Sequence, residues 1–245
     1  MRSLYKKSEL AFSIVWIVVY CVLMSLSDSL SETVGIEKAV TLPISVLLSL
    51  LLYFFINQNS LSEKYGFCKA EVSAKRMLYY LPVLLMLTVN LWGGVKLNLS
   101  VTESVLYIFT MLFVGFLEEV IFRGLLFNAM KKDGFKSAVI VSSLTFGIGH
   151  IINLINGSGA ALFENILQVI YAAAAGFMFV MIYCTSKSLY VCIISHGVFN
   201  ALSIFSCDTA LTAQSKIISA VFLTVICVSY GIFLFKKLQN SANIN

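Results

Sequence analysis

Charged and polar residues interrupt three hydrophobic stretches of this chain. Glu118, Glu119 and Arg123 lie within one such stretch, and the only two histidines, His150 and His196, lie in two others. An ionised side chain at the centre of a bilayer costs about 2.5–3.5 kcal/mol on insertion scales, so three of them oppose insertion by roughly 8–10 kcal/mol. Carboxylates and imidazoles are also the groups that most often transfer protons in enzymes. The pattern therefore indicates acid–base chemistry inside a membrane.

The composition is that of a membrane protein with little mass outside the lipid. Of its 245 residues, 59% are hydrophobic and 12% are charged, and the mean hydropathy is +0.92. Soluble domains have about 25% charged residues. We therefore expect a single transmembrane domain, residues 1–245. It would cross the lipid bilayer of the cell membrane several times. The net charge is +5, and the basic residues lie in short loops between hydrophobic runs. This distribution does not indicate nucleic-acid binding.

Hydrophobic runs of about 20 residues predict membrane-spanning helices. They predict an all-α, polytopic bundle of about eight such helices. The runs are 10–27, 39–56, 77–95, 104–128, 137–155, 163–184, 188–206 and 216–235. The first is longer than the apolar part of a signal peptide, so we interpret it as an uncleaved span.

Lysine and arginine predict the orientation, because they are more frequent in cytoplasmic loops. Of the 17 basic residues, 13 lie near the two termini or in the loops 57–76, 129–137 and 185–188. Three lie in the remaining loops and Arg123 lies within a span. Both termini are therefore predicted to be cytoplasmic.

The polar groups of three predicted helices lie at one depth. At about 1.5 Å per residue, Glu118, His150 and Asn200 are each roughly 20 Å from the basic residue at the cytoplasmic end of their helix. His196 is roughly 14 Å from that end by the same measure. Unrelated polar residues would be scattered in depth, so this shared layer predicts one site.

Residues four apart share a helix face, which pairs Glu119 with Arg123. Glu119 is expected to neutralise the guanidinium in a bidentate ion pair. Glu118 points about 100° away and has no cation on its own helix, so its partner must come from another helix. His150 and His196 are the available histidines.

Three short sequences carry a resemblance to a known family. Glu-Glu-Val-Ile-Phe-Arg-Gly at 118–124, Phe-Gly-Ile-Gly-His at 146–150 and His-Gly-Val-Phe-Asn at 196–200 resemble the signature motifs of the CPBP family. This family of intramembrane endopeptidases comprises CaaX proteases and bacteriocin-processing enzymes and is also called Abi. The resemblance covers a core of residues 100–205.

The resemblance implies a role for each motif residue. Glu118 would act as the general base that activates a water molecule, assisted by His150. His196 and Asn200 would donate hydrogen bonds to the oxyanion of the tetrahedral intermediate. The implied substrates are membrane-associated peptides or proteins cut near the cytoplasmic face. They include prenylated CaaX termini, bacteriocin or signalling-peptide leaders and membrane-anchored regulators, and bacteriocin self-immunity is a further implied role.

Glu119 and Arg123 would then support the catalytic residues, and no cofactor would be needed. A zinc-dependent protease stays open as an alternative. Glu118, His150 and His196 would hold the ion, with a water at the fourth position. The His-Glu-x-x-His sequence of many zinc proteases is absent.

A non-enzymatic function is the second alternative. Intramembrane glutamate, histidine and arginine also serve proton relays, so the chain could be a proton-coupled transporter or a membrane scaffold. Transporters often contain internal repeats with interrupted helices. The sequence shows no such duplication, which favours the protease.

Overall fold

The chain folds into α-helices, as its apolar runs predicted. The computed structural model describes residues 1–72, 80–154, 161–207 and 211–242. The α-helices are α1 (Arg2–Lys7), α2 (Glu9–Val34), α3 (Thr41–Gln58), α4 (Leu81–Thr88), α5 (Val101–Glu119), α6 (Asn128–Met130), α7 (Phe135–Gly149), α8 (Leu162–Ser186), α9 (Leu189–Leu202) and α10 (Ala213–Ala242). A π-helix (Val120–Phe127) joins α5 to α6, and 3-10 turns follow α4, α6, α7 and α9. The prediction of an all-α bundle is confirmed.

Six helical stretches of the described residues are long and apolar enough to cross a membrane. They are Glu9–Val34, Thr41–Gln58, Val101–Asp133, Phe135–Leu154, Leu162–Ser186 and Ala213–Asn240. The protein is therefore a multi-pass membrane protein. The predicted number of about eight spanning helices agrees only approximately with these six.

The third and seventh predicted spans are shorter than expected. They correspond to the apolar helices Leu81–Leu91 and Leu189–Phe205. The second of these is about 25 Å long at 1.5 Å per residue, less than the roughly 30 Å of the hydrocarbon core. Positions 73–79, which include the start of the third predicted span, lie outside the described residues, as does position 155 of the fifth.

One face of α2 packs against the helices that carry the motifs. Phe12, Trp16, Tyr20 and Met24 recur every four residues, and all four are buried. Such spacing places side chains on one face of a helix. This face brings α2 beside the π-helix and places Tyr20 close to the acidic pair of α5.

Glycines allow the motif helices to approach each other closely. A Cβ atom on Gly115 of α5 would lie 2.6 Å from the Cα and the backbone nitrogen of Gly197 on α9. A Cβ atom on Gly147 of α7 would lie 2.8 Å from the backbone nitrogen of Ala173 on α8. The first contact holds α5, which carries the acidic pair, against α9 with His196, and the second holds α7, which ends next to His150, against α8.

We expect Gly115→Ala to destabilise the bundle, because the added methyl group would meet backbone atoms of Gly197 that cannot rotate away. Overpacking of this kind costs about 1–3 kcal/mol. Thermal unfolding in detergent would measure the loss. Gly149→Ala is the matched control, because a Cβ atom there has nothing within 4 Å. Equal melting temperatures for the two variants would contradict the close α5–α9 contact.

Candidate active site

Glu119 and Arg123 form an ion pair in the centre of the bundle. Both side chains are 0% exposed, and Nη1 of Arg123 lies 2.9 Å from Oε1 of Glu119. The guanidinium carbon lies 4.2 Å from the ring centroid of Phe146, which adds a cation–π contact. The predicted pairing is therefore present, but the prediction of a bidentate pair is wrong. The contact uses one carboxylate oxygen, and that oxygen is shared with a histidine.

His196 lies between the two neighbouring carboxylates. Its Nδ1 is 2.8 Å from Oε1 of Glu119, and its Nε2 is 3.4 Å from Oε2 of Glu118. A carboxylate oxygen only accepts hydrogen bonds, so His196 donates Nδ1–H to Glu119. The imidazole also stacks on Phe179, with ring centroids 5.4 Å apart. Glu119 thus fixes the ring orientation and turns Nε2 toward Glu118.

Glu118 has a different environment from Glu119, as the helical geometry predicted. Its side chain is 13% exposed and lines a cavity of about 370 Å³. Tyr20 of α2 donates its hydroxyl to Oε1 at 2.7 Å, while Oε2 faces His196. Glu118 is therefore held from both sides and still reaches the cavity, which suits a group that must bind a water molecule.

His150 and Asn200 line the same cavity as Glu118. His150 begins the 3-10 turn after α7, and its Nδ1 lies 3.0 Å from the carbonyl oxygen of Phe146. That carbonyl can only accept, so Nδ1 carries the proton and Nε2 is left as an acceptor. Asn165 of α8 fixes the backbone of His150 by donating to its carbonyl oxygen at 2.8 Å. The structure therefore brings all the predicted site residues together.

A comparison with family models identifies the segment that carries these residues. The model described as type II CAAX prenyl endopeptidase Rce1-like matches residues 100–202. The matched segment, residues 100–202, belongs to the CPBP family and is called the CPBP segment below. A search of curated proteins finds no significant match. The CPBP segment starts at Ser100, the N-terminal cap of α5, and ends at Leu202, the last residue of α9, so it contains all three motifs.

The hydrogen-bonding register of the CPBP segment changes immediately after the acidic pair. The π-helix Val120–Phe127 follows Glu119 directly, and all of its residues are buried. Side chains bind carbonyl groups within this stretch. Asn128 donates its amide to the carbonyls of Arg123 and Gly124 at 3.1 and 2.8 Å, and Ser142 of α7 donates to that of Phe122 at 2.8 Å. Short π-helices occur frequently at functional sites.

The zinc alternative is not supported by the arrangement of the side chains. Within the described parts of the chain, no three His, Cys, Asp or Glu residues are grouped as a possible metal site. In both histidines Nδ1 is hydrogen-bonded, in His196 to Glu119 and in His150 to the carbonyl of Phe146, so only Nε2 of each could bind a metal. Because Glu118, His150 and His196 are not grouped as a metal site, the mechanism proposed below has no step through a metal.

Tyr20 is the site residue that the sequence did not reveal. It lies on α2, outside the CPBP segment and 98 positions from Glu118. Its only sequence signal is a phenol on the apolar face shared with Phe12, Trp16 and Met24. That face indicates burial, but it does not indicate which helix the hydroxyl meets.

We expect Tyr20→Phe to lower proteolytic activity roughly 10- to 100-fold, since a hydrogen bond to a charged group is worth about 1.5–3 kcal/mol. The measurement is kcat and KM, with thermal unfolding as a check on folding. Tyr65→Phe is the control, because it also removes a buried hydroxyl, which donates to Tyr5 rather than to Glu118. Equal losses in the two variants would argue against a role for the Tyr20–Glu118 contact.

Proposed function

We propose that this protein is an intramembrane endopeptidase that hydrolyses a peptide bond with a water molecule activated by Glu118. The match of residues 100–202 to the CPBP family supports a membrane protease of the CAAX type. One observation carries the assignment of the base. Glu119 is locked in a fully buried ion pair, whereas Glu118 faces the cavity between Tyr20 and His196.

In the proposed reaction, Glu118 takes a proton from water as the oxygen attacks the carbonyl carbon of the scissile bond. His150 helps to place this water through its acceptor Nε2. As the C–N bond of the tetrahedral intermediate breaks, Glu118 returns the proton to the departing amine. The carboxylate is regenerated, and the water is consumed as the new acid and amine termini form.

The negative charge on the intermediate oxygen needs hydrogen-bond donors close to Glu118. Asn200, which lines the cavity, can donate an amide N–H, and His196, whose Nε2 faces Glu118, can donate Nε2–H when its ring carries protons on both nitrogens. With His196 in that form, the charges of Glu118, Glu119, Arg123 and His196 sum to zero. A neutral, preorganised cluster of this kind stabilises developing charge strongly in a dry site. Glu119 and Arg123 then act as positioning residues for His196.

The proposed substrate is a peptide or protein associated with the cell membrane. Prenylated CaaX termini and peptide leaders are both candidates. Cleavage of peptide leaders would be linked to a role in bacteriocin self-immunity. A polar cavity with glutamate and histidine could also serve a proton relay, and the match to the CPBP family is what favours the protease over a transporter or scaffold. The protease is therefore the proposed function.

The test is cleavage of quenched fluorogenic peptides by purified protein in proteoliposomes. The panel contains prenylated CaaX peptides and double-glycine leaders, each assayed with and without a chelator. Cleavage that is lost in His196→Ala and unaffected by chelator would support the proposal. Cleavage that is abolished by chelator and restored by zinc would instead establish the metal-dependent alternative. Uptake of protons that depends on Glu118 without any peptide cleavage would establish the transporter.

A further inference from the structure

In the described part of the chain, most of the lining of the active-site cavity lies between Glu118 and one end of the bundle. Along α2, the lining continues from Tyr20 to Asp28, eight residues and about 12 Å further on. Along the antiparallel α5 it continues from Glu118 back to Tyr107, about 16 Å. Both directions lead to the end that carries the α2–α3 loop, and Lys38 of that loop completes the lining.

The opposite direction is closed by packed side chains. Arg123, Leu126 and Phe127 lie on the far side of Glu118 along the chain, and each is at most 2% exposed. A second cavity of about 630 Å³ lies beyond them, beside Asn128 and Lys131, and Glu118 does not line it. The buried π-helix therefore separates the catalytic carboxylate from the lysine-rich end of the bundle.

The distribution of basic residues identifies the membrane face to which the cavity leads. Of the 15 basic residues in the described part of the chain, 11 belong to the lysine-rich end, which is cytoplasmic by the positive-inside rule. Two of the three lysines at the other end are neutralised. Lys38 pairs with Asp28 at 2.8 Å, and Lys216 pairs with Glu164 at 2.6 Å. Burial alone would lower the pKa of Lys38, but Asp28 and Glu37 outweigh it and raise the pKa, which keeps the pair ionised.

We infer that water and substrate reach Glu118 from the extracytoplasmic face, past the Asp28–Lys38 ion pair. The substrate would be an exported peptide, or a membrane-protein segment that lies in the outer half of the bilayer. That the molecule entering the cavity is a substrate rests on the proposed function. Access from this face differs from the prediction of cleavage near the cytoplasmic face, and it disfavours a cytoplasmic prenylated terminus.

The chemistry of the outer part of the cavity fits a peptide backbone. Asn153 and Gln168 are joined there by a hydrogen bond of 3.0 Å, and Tyr107 shares one of 2.8 Å with Ser203. These amides and hydroxyls offer donors and acceptors at the entrance. A prenyl chain would desolvate them without replacing their hydrogen bonds. The entrance thus suits a polar, extended peptide segment.

Side-specific cysteine labelling tests this inference. In a background without the six native cysteines, Ser25→Cys reports on the cavity wall of α2 and Met111→Cys on that of α5. Lys96→Cys and Lys132→Cys mark the two ends of the bundle. The probe is a membrane-impermeant charged thiol reagent, applied to intact cells and to permeabilised cells. Two cavity positions are used so that one poorly folded variant does not decide the result.

We expect Ser25→Cys and Met111→Cys to be labelled in intact cells, as Lys96→Cys is, with rates within about tenfold of it. Lys132→Cys should be labelled only after permeabilisation. Labelling of the cavity positions only after permeabilisation would overturn the inference, and so would their failure to react in either condition. An intact-cell signal at Lys132→Cys would overturn the orientation and the inference together.

Failure of the inference can be separated from failure of the proposed function. Labelling requires no proteolysis, so the expected pattern without any peptide cleavage would remove the protease and keep the outward cavity. Cleavage together with cavity labelling from the cytoplasmic side alone would keep the protease and remove the outward access. Ser25→Cys combined with Glu118→Gln should retain the labelling pattern, because the substitution preserves the shape of the cavity wall.

Discussion

Glu118→Gln should reduce proteolysis at least roughly 10³-fold and leave the fold intact. The amide has the shape of the carboxylate, and its oxygen can still accept the hydroxyl of Tyr20. It cannot take a proton from water, and general-base catalysis contributes about 10²–10⁴-fold. The loss should therefore appear in kcat, with a smaller change in KM. Peptide hydrolysis followed by fluorescence or mass spectrometry would measure it.

A second carboxylate gives the matched control for this variant. Glu164 at the outer end of α8 pairs with Lys216 and is 47% exposed, so Glu164→Gln removes a charge far from the reaction. Exposed pairs contribute at most about 1 kcal/mol, and its kcat should equal that of the wild type. Retention of more than a tenth of the activity in Glu118→Gln would show that another group activates the water.

The sequence predicted that polar side chains of separate helices meet, because helices impose a simple geometry. Counting about 1.5 Å per residue placed Glu118, His150 and Asn200 in one layer, and the structure brings them to one cavity. The four-residue spacing of Glu119 and Arg123 likewise gave an ion pair. These predictions depend on one helix at a time, and each helix has a regular rise and turn.

What the sequence could not predict depends on contacts between distant helices or on a break in helical regularity. Tyr20 binds Glu118 although the two residues are 98 positions apart in the sequence, and no motif on the helix of Tyr20 indicates this contact. In the π-helix, carbonyls of residues 122–124 accept hydrogen bonds from Asn128 and Ser142, contacts that ordinary helix spacing does not anticipate. Arg123 contacts a single oxygen of Glu119, and His196 of another helix binds that same oxygen.

The side of access could not be predicted from the sequence either. Counting residues from the cytoplasmic flank gives the depth of Glu118, but it does not show which end of the bundle is filled. That is decided by how the side chains of several helices pack. The buried layer of Arg123, Leu126 and Phe127 closes one direction, and the polar lining from Asp28 to Tyr107 marks the other.

Arg123→Met should destabilise the folded protein more than Gly115→Ala does. The guanidinium is fully buried between the ring of Phe146 and the carboxylate of Glu119. Methionine fills part of the space but leaves a buried carboxylate without its cation. Breaking a buried pair in this way costs about 3–5 kcal/mol. Unfolding in mixed micelles by increasing SDS, followed by circular dichroism, would measure the loss of stability.

The double variant Glu119→Gln/Arg123→Met separates charge from packing. It removes both members of the pair, and the glutamine oxygen can still accept Nδ1–H of His196. Because no uncompensated charge remains, the double variant should be more stable than Arg123→Met alone, and the two single effects should not add. A decrease in the free energy of unfolding of the double variant equal to the sum of the two single decreases would contradict this. Arg123 would then stabilise the bundle through its packing on Phe146, and Glu119 through its hold on His196.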